Sequence, residues 1–157
     1  MAKAGGRHAG TELGRRRRAV AARALRLVID ASVVTAASAT PIGFARFRRF
    51  ELVAPPLMWI EAVSSLHAMV WRGELERDQA TFVLNRVLSA PVRRREPSGL
   101  AREAWKIADE LGWAKTYDAN YVALARLLGC KLVTLDARMR RGTARLGFVV
   151  GPLELGD

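Results

Sequence analysis

The chain has 157 residues, 50% of them hydrophobic and 26% charged, which suits one domain with a full core and excludes a disordered or collagen-like polypeptide. Its single cysteine, Cys130, excludes an internal disulfide framework and a cysteine-based zinc site, so a reducing cytoplasm is the expected compartment. The formal charge is +11, and 22 of the 26 basic residues are arginine, whose planar fork matches phosphate oxygens.

Much of that charge lies at the amino end, where residues 1–26 hold eight basic groups against Glu12 alone. Arg15–Arg18 followed by Ala-Val-Ala-Ala imitates a secretory signal, but Arg23, Arg26 and Asp30 interrupt it before an apolar stretch develops. No apolar run reaches membrane-spanning length, so no membrane is expected as a partner. Residues 1–23 are therefore expected to form a flexible basic arm, and residues 24–157 one folded domain.

The apolar run LRLVID, Leu25–Asp30, predicts a first strand buried on both faces. A short helix over Ser32–Ala39 follows, then a basic segment at Phe44–Phe50 and a second strand at Glu51–Ala54. Pro55-Pro56 suits a helix entry, and Leu57–Trp71 carries two apolar stripes that predict a largely buried helix. A helix over Leu75–Ser89 should turn Phe82, Val83 and Val87 inward, and Val92–Glu96 is a weak strand holding three arginines. Amphipathic helices follow at Leu100–Leu111 and Tyr117–Leu128, closed by Gly112 and Gly129. Lys131–Leu135 and Gly147–Val150 are the last strands. Strands alternating with helices predict an α/β fold with a central parallel sheet flanked by helices.

Sites in such sheets form beyond the carboxyl ends of the strands. Two strands end there in an acid, Asp30 and Asp136, while Glu61 and Asp118 interrupt apolar helix surroundings. Two carboxylates ~5 Å apart repel by roughly 3 kcal/mol at an effective dielectric near 20, so four that converge must share protons or hold cations. With only oxygen ligands, the cation is expected to be Mg²⁺ or Mn²⁺. Thr134 stands two residues before Asp136, so on a strand both side chains share a face.

The segments VIDASVV at 28–34, LVAPPLMWIEAVSSL at 52–66 and the stretch 101–139, which holds TYDANYVALA and VTLD, resemble a PIN domain of the VapC type. Such proteins are the toxins of bacterial toxin–antitoxin pairs. The resemblance implies a three-layer sandwich and metal-dependent cleavage of RNA to 5′-phosphate and 3′-hydroxyl ends. It places the family's metal-binding acids on Asp30, Glu61, Asp118 and Asp136, with Ser32 and Thr134 as hydroxyls beside them. It also implies a cognate antitoxin and a homodimer. The departures are the basic arm and the arginine-rich VRRRE segment.

Arg138, Arg140 and Arg141, with Arg46, are the expected phosphate-holding residues. Trp113 and Tyr117 precede Asp118, where a ring can stack an unpaired base, although Tyr117 is expected in the core. Trp59, Trp105 and His67 are expected to pack inside, and Cys130 to be a buried thiol. A haloacid-dehalogenase-type phosphatase needs a second Asp where Ser32 stands, and no G-x-G-x-x-G follows the first strand for a dinucleotide. The remaining alternative is a PIN-like domain that binds RNA or a partner without cutting.

Overall fold

An unbroken apolar run within a strand must be covered on both faces, and Leu27, Val28 and Ile29 are each completely buried at the centre of the sheet. The computed structural model describes residues 25–156. Its elements run β1 (Leu25–Ile29), α1 (Ala31–Ala39), β2 (Phe50–Ala54), α2 (Leu57–Trp71), α3 (Arg77–Leu88), β3 (Val92–Arg94), α4 (Leu100–Leu111), α5 (Tyr117–Leu128), β4 (Lys131–Val133), α6 (Ala137–Gly142) and β5 (Val149–Val150). The basic arm assigned to residues 1–23 lies outside the described residues.

The five strands are all parallel in the order β3-β2-β1-β4-β5. From β1 the chain winds outward to β2 and β3, then returns to pair β4 on the other side of β1. Right-handed crossovers therefore put α1–α3 on one face and α4–α5 on the other. Within each group the helices pack on one another, and α5 lies over β1 and β4. The reversal leaves a crevice between the carboxyl ends of β1 and β4, the place where α/β sheets hold ligands. The parallel sheet between two helix layers is the three-layer arrangement expected from the sequence.

Several local expectations are overturned. On α2 only Met58, Ala62 and Leu66 are fully in the core, while Ile60, His67 and Trp71 face outward, Trp71 being 86% exposed. Apolar residues surround this helix, but the sheet and the neighbouring helices cover only one side of it. The next helix starts at Arg77 rather than Leu75, because Glu76 and Gln79 form a reciprocal capping box there. Phe82 is exposed beneath the Arg86 guanidinium, whose carbon is 5.6 Å from the ring centroid. Trp105 is 66% exposed on the outer side of α4, and Tyr117 projects from the first turn of α5 instead of filling the core. Trp59 is partly buried against the core, and Cys130 is half-buried rather than fully enclosed. The arginine-rich strand ends at Arg94, two residues before Glu96, and β5 holds only Val149 and Val150.

Candidate active site

Asp30 is the first residue past the most buried strand, and its side chain is only 4% exposed. A carboxylate there needs donors on both oxygens. Oδ1 accepts from the Ser32 hydroxyl at 2.7 Å and from the Val33 backbone N–H at 3.1 Å, which caps α1. Oδ2 accepts from the Thr134 hydroxyl at 2.5 Å. Both hydroxyls are themselves fixed from β4's end of the crevice. Ser32 Oγ accepts from the Leu135 N–H at 3.1 Å, and Thr134 Oγ1 from the Asp136 N–H at 2.9 Å. The backbone N–H of Thr134 reaches the Val150 carbonyl, so β5 holds it in turn. Two hydroxyl relays thus tie the end of β1 to the end of β4.

Asp136 closes the β4 end, where Oδ1 accepts from the N–H groups of Arg138 (2.7 Å) and Met139 (3.1 Å) and caps α6. Asp118 lies in the first turn of α5, where the helix dipole favours an anion. Glu61, on the second turn of α2, accepts the Tyr121 hydroxyl on Oε2 at 2.5 Å. Tyr121 is almost completely buried on α5, so it fixes Glu61 from the opposite helix layer. Its part was not foreseen, because its spacing marks it only as an apolar position of an amphipathic helix.

The electrostatics connect all four acids. Burial raises the Asp30 carboxyl above its usual range, its hydrogen bonds pull the other way, and the Asp136 charge adds to the rise. Burial raises Glu61 as well, with the Asp118 and Asp30 charges reinforcing it against the Tyr121 hydrogen bond. Asp118 is raised by burial and then by Asp136, while Arg138 draws it down. Asp136 is therefore the acid that both Asp30 and Asp118 feel. Glu61, Asp118 and Arg138 line a cleft of about 470 Å³ with Trp113, Lys115 and Tyr117. Asp30 and Asp136 lie outside that lining.

Among the described residues, no group of three or more His, Cys, Asp or Glu side chains is placed so that it could hold a metal ion. The donor set nevertheless fits Mg²⁺ or Mn²⁺. It is all oxygen, burial raises the carboxyls of Asp30, Glu61 and Asp118, and magnesium is commonly held by one or two carboxylates with water completing the shell. Of the arginines expected to grip phosphate, only Arg138 lines the cleft. Arg140 pairs with Glu154 at 2.9 Å, Arg141 is exposed on α6, and Arg46 sits in the short turn Ala45–Phe47 before β2. Trp113 and the exposed Tyr117 stand on the cleft wall, where a nucleobase could stack.

Comparison with known proteins shows what the chain resembles. Residues 27–144 match the PIN domain family. The VapC ribonuclease Mb0985 of Mycobacterium bovis is 34% identical over 129 residues, covering 80% of this chain and 98% of that protein. The crystal structure of PAE2754 from Pyrobaculum aerophilum superposes with a TM-score of 0.68 at 26% identity, over 85% of this chain and 94% of its own. A toxin–antitoxin complex from Klebsiella pneumoniae shares the fold, with a TM-score of 0.57 at 15% identity over 80% of this chain and 97% of that one. No helix among the described residues is long and apolar enough to cross a membrane.

Proposed function

The chain belongs to the PIN-domain family, with VapC ribonucleases among its relatives, and on that premise we propose that it is a divalent-metal-dependent endoribonuclease acting as the toxin of a toxin–antitoxin pair. The observation that carries this reading is the buried, hydroxyl-locked Asp30 at the β1–β4 crevice, within the field of Asp136 and Glu61. Asp30, Asp118 and Asp136 would hold Mg²⁺ or Mn²⁺, with Glu61 completing the set. When bound, the ion supplies Lewis acidity for activating a water and for offsetting charge on the leaving oxygen.

The chain's own residues perform the rest. Ser32 and Thr134 keep the Asp30 carboxylate aimed and favour its ionised form against burial by donating to both of its oxygens. Tyr121 holds Glu61 at the cleft wall, where its carboxylate can orient an attacking water or take its proton. Arg138 and Lys115 offer the cleft its positive charge for the RNA backbone, and Trp113 with Tyr117 offers faces for an unpaired base. In this reading the protein works in the cytoplasm as a homodimer and is silenced by a cognate antitoxin.

Incubating the purified protein with structured RNA tests the reading. Cleavage is expected with Mn²⁺ or Mg²⁺ and none in EDTA. RNA that is bound yet uncut under every metal condition would leave a silent binding domain instead.

A further inference from the structure

The VRRRE segment finds no part in the acid cleft, and the sheet register shows where it goes. Arg26 is paired directly with Glu51, and Val53 with Arg93, so Arg26, Glu51, Arg93 and Arg95 fall on one face of the sheet. Arg94 takes the other face, with its guanidinium carbon 5.4 Å from the ring centroid of Trp59 on α2. The arginine row therefore lies on the face of α4 and α5. The helix α5 covers that face over β1 and β4, while β2 and β3 form the sheet's outer half.

Glu51 gathers the row. Arg95 at 3.0 Å and Arg26 at 3.2 Å hydrogen-bond to it and, Arg95 first, hold its carboxyl below the usual range, while Arg93 forms an ion pair with it at 3.7 Å. One carboxylate cannot use the donors of three guanidinium groups, so N–H groups remain directed outward. The Arg93 side chain is 73% exposed. Beside them runs a groove of about 740 Å³, whose lining includes Arg26, Arg48 and Arg93. Arg48 is exposed there. The groove opens at the amino ends of β1–β3, whereas the acids lie past the carboxyl ends of β1 and β4.

We propose that Arg26, Arg93 and Arg95, organised by Glu51 and joined by Arg48, form a second phosphate-binding surface that takes the sugar–phosphate backbone of the RNA at a distance from the acid cleft. The proposal rests on the ribonuclease reading. An RNA long enough to occupy both places is held by more phosphate contacts than the cleft alone provides. An acidic protein segment would be drawn to the same charge. Nucleic acid is favoured because every cation of the row is an arginine, whose planar fork matches phosphate oxygens.

The test uses the full-length protein in EDTA, so that RNA is bound and not cut, and follows affinity for a long RNA against salt. Each lost phosphate contact on a single strand removes about 0.7 from the slope of log affinity against log salt, so Arg48→Ala with Arg93→Ala is expected to lower it by roughly 1.4. Arg48→Lys with Arg93→Lys keeps the charge and should keep the slope, which separates charge from misfolding. A wild-type slope in the double alanine variant overturns the surface while cleavage by the wild type leaves the ribonuclease reading intact. A wild type that neither binds nor cuts RNA overturns both. Unchanged RNA binding with lost affinity for an acidic protein partner assigns the groove to protein and overturns the proposal as well.

Discussion

Asp30→Asn is expected to abolish RNA cleavage while leaving the metal-free protein as stable as the wild type or more stable. Losing ~4 kcal/mol of transition-state stabilisation corresponds to about a thousand-fold loss in rate, and this acid is the most buried of the four. The fold survives because asparagine caps a helix as well as aspartate does, so the Val33 N–H keeps its acceptor. The new amide can donate to the Thr134 oxygen, whose own hydrogen then rotates away. The pH dependence gives the sign. Asp30, Glu61 and Asp118 are all raised above their ordinary values of 3.8, 4.5 and 3.8, so above those values the folded protein holds protons that the unfolded chain has released. The three groups therefore make the metal-free protein lose stability as pH climbs through their raised values. The Asn variant should lose less over the same range. Thermal unfolding in EDTA at a series of pH values, with and without Mn²⁺, measures both effects. A variant markedly less stable than the wild type at neutral pH would mean that Asp30 is chiefly structural.

Thr134→Val keeps the volume and removes the hydroxyl that serves two acids at once. Asp30 Oδ2 loses its donor and the Asp136 N–H loses its acceptor, both at an enclosed point between β1 and β4. The expected cost is about 2–4 kcal/mol in stability. Activity should fall with it, because the hydrogen bond from Thr134 is the largest influence opposing protonation of Asp30. In an Asp30→Asn background the same substitution should cost clearly less, since the buried group left without a partner is no longer charged. Chemical denaturation of the four proteins in that cycle gives the coupling. Equal costs in both backgrounds would show that Thr134 does not act through Asp30.

Much of this was legible from residue patterns. The run Leu25–Asp30 reads as a buried strand ending in an acid because apolar continuity and a terminal carboxylate are both local signals. Asp136 and Thr134 are legible for the same reason, as they follow directly on one apolar strand, although that strand ends at Val133 and not at Leu135. Tyr121 was not legible as the partner of Glu61, because that contact spans two helix layers and leaves no mark on the spacing of either helix. The outward turn of Ile60, Phe82, Trp71 and Trp105 was missed for a related reason. Periodicity shows which residues share a face, while the width of the layer packed above decides whether that face is covered. The basic residues divided in the same way. Their number pointed to phosphate, but only the sheet register separates Arg138 at the cleft from the Glu51-centred row on the far edge.

The most direct test of the acid site is a crystal grown with Mn²⁺ and measured at the manganese absorption edge. An anomalous peak coordinated by Asp30 and at least one of Asp118 and Asp136, with Ser32 and Thr134 still donating to Asp30, is the predicted result. A peak bound elsewhere on the chain, with Asp30 contacting nothing but its hydroxyl partners, would contradict it.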